Sequence, residues 1–244
     1  MTEVITGVAL VSDFLWGGAW GDTQVLPLGI VTAVLLGSGA FFMVRLRFRP
    51  LRRLMPAFAT LWRGRRAEGA GEITPWQAVS TALSGQIGTG NLAGVATAIT
   101  LGGPGAVFWM WVTAILGMAI AFAESSMAVR FRATEPGGRL RGGPMYYIRD
   151  GLGPAWRWLA LVFCAGTLIS SLVTGNMIQA NSVAQSVIEV GRGVGLEVPA
   201  WAAGIVVAFL AFLVIVRGIE GIGAVAGRLV PLMAVGYVAT AVAA

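Results

Sequence analysis

The 244-residue sequence predicts an all-α polytopic membrane protein. Three observations carry that expectation. Hydrophobic residues make up 57% of the chain and charged ones only 11%, where an average soluble domain has about a quarter of its residues charged. Mean hydropathy is +0.79, and the apolar residues gather into six runs near or above the length of about 18–20 residues at which a helix crosses the hydrocarbon layer. Most of the charges lie between those runs or at their ends. The 35 glycines fit the same picture, because in lipid they let helix backbones approach closely and tolerate local breaks.

Net charge is +6, and all 17 basic residues are arginine. They cluster at Arg45 to Arg66, at Arg130 to Arg157, and at Arg217 and Arg228, with Arg192 alone elsewhere. Clusters that flank apolar spans mark cytoplasmic ends and argue against a nucleic-acid face. The only cysteine, Cys164, sits in an apolar run, which excludes an intrachain disulfide and a cysteine-rich metal site. The chain has no histidine, so the common imidazole base and zinc ligand are both missing and an enzyme is not expected. The first 24 residues carry Glu3, Asp13 and Asp22 and no arginine, unlike the basic start of a signal peptide.

The elements follow in chain order. Val4, Val8, Val11, Leu15 and Trp16 have amphipathic helical spacing, which predicts an interfacial segment over residues 1–24 on the outer surface. A first transmembrane helix is expected over residues 25–46, from Val25 to the arginines beginning at Arg45, with its N-terminus outside. Residues 47–73 read as a cytoplasmic loop. Thr74-Pro75 is a helix start, a capping threonine before a proline in the first turn, and opens a second span to Leu101. Gly102-Gly103-Pro104-Gly105 turns the chain outside, and Ala106 to Ala128 returns it to Arg130 and Arg132. A long fourth helix is expected from Ala155 to Glu189, a fifth from Pro199 to Val216, an inner loop from Arg217 to Arg228, and a last span from Leu229. This threading puts 16 of the 17 arginines, all but Arg192, inside, so that the protein is placed in the inner (plasma) membrane with its arginine-rich loops cytoplasmic.

Ser84-Gly85-Gln86-Ile87-Gly88-Thr89-Gly90-Asn91 is the most informative stretch, because glycines at 85, 88 and 90 undermine a helix at membrane depth. An unwound segment is expected there. Such a break exposes N–H groups that attract a carboxylate and carbonyls that attract cations. Close helix packing is the plainer account of any single glycine, but Gln86, Thr89 and Asn91 place hydrogen-bonding side chains on the same turns, and polar groups in lipid are rarely kept without partners or function. A phosphate-cradling loop is excluded, since no strand precedes the glycines and no lysine follows.

In the fourth helix Thr167, Ser170, Ser171 and Thr174 share a face, and interhelical hydrogen bonding accounts for the hydroxyls. Gln179 differs, since its amide both donates and accepts and suits a zwitterion. Glu124, six residues before Arg130, reads as an interfacial charge, and Glu220 as a solvated loop charge.

The sequence resembles the alanine or glycine:cation symporter family, the sodium:alanine symporters. The likeness rests on Gly88 to Ala98, on Gly102-Gly103-Pro104-Gly105-Ala106 with Phe108-Trp109-Met110-Trp111, on Gly142-Gly143-Pro144-Met145-Tyr146-Tyr147, on Gly175-Asn176-Met177 with Gln179, and on Val230-Pro231. It departs where the family often has Lys-Tyr before the third-span glutamate, for here Ala121-Phe122 precede Ala123-Glu124. The resemblance implies a LeuT-type core of two inverted five-helix repeats, of which residues 74–244 would be the first, preceded by one extra helix. The second repeat is then not among these residues, which leaves room for a second polypeptide that supplies it.

By the same resemblance, the N–H groups of Thr89 and Gly90 beside Gly88 would meet the substrate carboxylate. Gln86 and Gln179 would complete the substrate set. Asn91 would offer its side-chain oxygen to sodium, and the carbonyls of Ser84 and Ile87 are further cation candidates, with that of Gln86 open to cation or ammonium. The expected function is sodium-coupled symport of a small neutral amino acid, alanine or glycine, by alternating access, with sodium the only cofactor and no catalytic residue. A passive channel and a non-transporting fragment or accessory subunit are the alternatives.

Overall fold

A computed structural model of the chain describes residues 2–66 and 73–243. In order, the described residues form α1 (Thr2–Gly17), a two-stranded antiparallel hairpin of β1 (Ala19–Trp20) and β2 (Thr23–Gln24), α2 (Ile30–Arg45), α3 (Arg49–Arg52), α4 (Leu54–Arg63), α5 (Pro75–Gln86), α6 (Val95–Gly102) and α7 (Pro104–Arg130). A second small hairpin follows, β3 (Ala133–Thr134) with β4 (Leu140–Arg141), and then α8 (Pro144–Gly151), α9 (Arg157–Leu172), α10 (Ile178–Gly193), α11 (Ala200–Ile215) and α12 (Gly218–Ala243). The all-α membrane class is borne out. Three helical runs are long and apolar enough to cross a bilayer: Pro104–Arg130, Pro154–Gly193 and Gly218–Ala243. Large apolar side chains stay exposed along them, among them Trp111, Leu161, Leu168 and Leu232, a surface that only lipid or further protein accommodates.

Several expected boundaries are corrected. The first and fifth of the six expected spans are shorter as helices, since α2 and α11 have 16 residues each, about 24 Å at helical rise, so that extended flanking residues must complete any crossing of the ~30 Å layer. Residues 47–73 are not simply a loop, since α3 and α4 lie within them. The inner loop expected over Arg217 to Arg228 is helical from Gly218, so the last helix starts eleven residues before Leu229. Gly218 takes a positive φ of 66°, which lets the chain reverse after α11 and resume a helix at once. The fourth helix is interrupted by a π-helical turn at Val173–Met177.

The chain forms two compact units. In the first, residues 2–55 with 102–127, α1 packs against α2, and Phe14 meets Trp20 edge-to-face at 5.9 Å. Gly39 of α2 lies so close to α7 that an added Cβ would stand 2.9 Å from the Cβ of Leu116. Met43 and Ala119 are buried. After α2, Arg47 and Phe48 take left-handed backbone, at φ 53° and 57°, which ends the helix.

In the second unit, residues 56–66, 73–101 and 128–243, the main contact is α5 against α12. Thr74 caps α5 in a capping box with Gln77, and Pro75 opens its first turn, as Thr74-Pro75 predicts. Trp76 then donates its indole N–H to the Gly227 carbonyl of α12 at 3.0 Å, and Gly223 lets α12 close on Gln77 and Ile73. Ser80, Ala226 and Val230 are buried in the same unit. α8 packs on α9, and α10 on α11.

Candidate functional site

The second span breaks within the segment where the glycines predict it, but over a shorter stretch. α5 ends at Gln86, Ile87 is extended at φ −83° and ψ 104°, and Gly88 is a bend. Helical backbone resumes at Thr89, and Gly90–Gly94 form a π-helical turn that leads into α6. Gly85 lies inside α5 and Gly90 inside the π turn, so the non-helical backbone is confined to Ile87 and Gly88.

A wide π turn leaves its N–H groups out of the α-helical register, and the break leaves orphan groups on both sides. Side chains reach some of them. The Asn91 Nδ2 donates across the break to the Gln86 carbonyl at 2.6 Å, while the Asn91 N–H donates to the Gly88 carbonyl at 3.0 Å. On the far side the Thr89 N–H donates to Gln179 Oε1 at 3.3 Å, and Gln179 Nε2 donates to Thr89 Oγ1 at 3.4 Å. Gln179 is the second residue of α10, directly after the π turn of Val173–Met177. Two interrupted helices therefore face each other at one point.

Gly88 makes the approach possible. A Cβ there would lie 2.9 Å from Gln179 Nε2, whereas a Cβ at Gly90 would meet nothing within 4 Å. The close-packed glycine is thus Gly88. Gly88, Thr89 and Gln179 are half-buried, while Ser84, Gln86, Ile87, Gly90 and Asn91 are exposed.

The structure brings together Gly88, Thr89 and Gln179 as one group and Gln86 with Asn91 as another. Ser84 turns its hydroxyl hydrogen back to the Thr81 carbonyl at 2.7 Å, and its main-chain carbonyl lies near the end of α5, before that of Ile87. Those carbonyls and the Asn91 Oδ1 are hard oxygen donors of the kind a hard cation takes. Of the fourth-helix hydroxyls, Ser171 is satisfied by the Leu168 carbonyl at 2.9 Å, and the Thr174 side chain lies outside the described residues.

Sequence reasoning missed the bridging amide of Asn91 and the second π turn. Adjacent Gly175 and Asn176 in an apolar run were the available signal for that turn. Away from the break, Arg149 donates through Nε and Nη2 to Asp150, at 2.6 and 2.8 Å, and that hydrogen bond holds the exposed carboxyl below its ordinary value.

Comparison with known proteins points the same way. The model of the sodium:alanine symporter family matches residues 18–244. The sodium/alanine symporter AgcS of Methanococcus maripaludis is 38% identical over 239 residues, which cover 97% of this chain and 49% of that protein. The uncharacterized transporter YflA of Bacillus subtilis is 40% identical over 241 residues, 97% of this chain and 47% of YflA. The amino-acid carrier protein AlsT of the same organism is 36% identical over 231 residues, 95% and 45% of the two chains. The chain spans about half the length of these relatives.

Proposed function

We propose, because the chain belongs to the sodium:alanine symporter family, that it binds a small neutral amino acid together with sodium at the break between α5 and α6 and takes part in their coupled transport. The family is one of transporters, not enzymes. The observation that carries the reading is the meeting of Gly88 and Thr89 with Gln179, two interrupted helices joined at half-buried polar groups. The N–H groups of Thr89 and Gly90 open the outer half-helix, and a carboxylate placed there takes up orphan donors and the positive end of the helix dipole. In its absence the Gln179 Oε1 fills part of that role at Thr89. A bound amino acid competes for the same N–H, which frees the Gln179 amide to contact the ligand.

Sodium, as co-substrate, takes the Asn91 Oδ1 and the carbonyls of Ser84 and Ile87, with the Gln86 carbonyl already engaged by the Asn91 Nδ2. No charged side chain belongs to this group, which favours a neutral side chain of alanine or glycine size over acidic or basic ones. The fold that goes with this reading is the LeuT-type inverted repeat, with residues 74–244 as one five-helix repeat and the arginine-rich segments cytoplasmic.

The test is accumulation. Full-length protein in proteoliposomes, with an inward sodium gradient, is expected to concentrate labelled alanine above the outside level and to stop when sodium is replaced by choline. Equilibration without accumulation makes it a channel and ends the symport reading.

A further inference from the structure

We infer that α4, with Arg65 and Trp76, forms a binding site for the headgroup of an anionic phospholipid. The segment from Arg45 to Arg66 carries eight of the seventeen arginines and no acidic residue. α4 is amphipathic, and its Phe58 and Trp62, four residues apart on one face, are 60% and 65% exposed. A helix with bulky apolar side chains on one face and arginines at its end lies in the headgroup layer rather than in water.

A built cavity stands at its end. Trp62, Arg63, Arg65 and Trp76 line a space of about 410 Å³. Trp62 and Trp76 meet edge-to-face at 6.5 Å and 88°. The Arg65 guanidinium lies over both rings, 4.3 Å from the Trp62 centroid and 5.1 Å from that of Trp76. Cation–π contact with the rings does not use up the N–H donors of a guanidinium, which are the groups that pair bidentately with phosphate. The ion pairs found among the described residues are Arg141 with Glu135 and Arg149 with Asp150, and no described carboxylate pairs with Arg63 or Arg65.

Charge, aromatic walls and the exposed apolar face of α4 are thus continuous, which fits a phosphodiester whose acyl chains run alongside the helix. A free anion would use only the arginines. Trp76 also donates to Gly227 of α12, so an occupied site braces the start of the broken helix. The leaflet follows from the topology proposed above, but the binding chemistry does not depend on it.

The experiment is native mass spectrometry of full-length protein in detergent, supplied with equal amounts of phosphatidylglycerol and phosphatidylcholine bearing the same acyl chains. Wild type is expected to retain phosphatidylglycerol about tenfold over phosphatidylcholine. The preference should fall to parity in Arg63→Gln/Arg65→Gln and persist in Arg139→Gln/Arg141→Gln, a basic pair elsewhere. Trp62→Leu, which keeps the charge, should lose part of it and serves if the double variant does not survive purification. Equal retention of the two lipids by wild type, or an unchanged preference in Arg63→Gln/Arg65→Gln or in Trp62→Leu, would overturn the proposal. So would displacement of the lipid by millimolar inorganic phosphate, which would mark a site for free anions.

Discussion

Gly88→Val is expected to reduce sodium-driven alanine uptake to the level of empty vesicles while the protein still reaches the membrane in normal amount. The bend at Gly88 brings the chain so near α10 that an added Cβ would lie 2.9 Å from Gln179 Nε2. Alanine there forces the glutamine end aside. Valine adds two methyl groups and a stiff χ1, so the Thr89–Gln179 pair separates and the half-helix start is blocked. Insertion depends on the apolar spans, which the change leaves alone. Gly90→Val is the control, because a Cβ at Gly90 meets nothing within 4 Å. It is expected to be clearly milder. Equal loss in both would move the constraint from close approach to backbone freedom, and full activity of Gly88→Val would remove the contact from the mechanism.

Gln179→Glu is expected to weaken alanine on the order of a hundredfold, since a carboxylate facing the substrate carboxylate carries the several kcal/mol that like charges cost when juxtaposed in a desolvated site. The new side chain would still accept from the Thr89 N–H, which Gln179 Oε1 accepts at 3.3 Å. It would hold that N–H as a permanent surrogate for the ligand. Gln179→Ala removes the competitor and the contact together, and its loss is expected to be nearer tenfold, within the ~1–3 kcal/mol of a lost buried hydrogen bond. Isothermal titration with alanine in saturating sodium separates the two variants. If Gln179→Glu binds as wild type does, Gln179 does not face the carboxylate.

Much of this was legible in the sequence. Hydropathy and arginine placement gave the membrane class, Thr74-Pro75 the start of α5, and Gly85, Gly88 and Gly90 the neighbourhood of the break. Periodicity could not say which of the three glycines carries the non-helical backbone, because each lowers helix stability alike and only the neighbour across the gap distinguishes Gly88. The π turn at Val173–Met177 was hidden for a related reason, since one extra residue in a helix leaves an apolar run looking continuous. The helical start of α12 was obscured by its glycines and by Arg217 and Arg228, which read as loop until Gly223 and Gly227 are seen to pack on Gln77 and Trp76. The Asn91 bridge to Gln86 spans five residues, a reach that exists only because the helix is broken between them.

The central claim is that amino acid and sodium share the broken segment, and thermodynamic linkage tests it most directly. Two ligands that favour each other must do so reciprocally. Alanine affinity of the full-length protein, titrated in sodium and in choline at equal ionic strength, is expected to be at least about tenfold tighter in sodium, a coupling of ~1.4 kcal/mol. In Asn91→Ala the ratio is expected to collapse toward one. An alanine affinity that is the same in choline as in sodium would contradict the account.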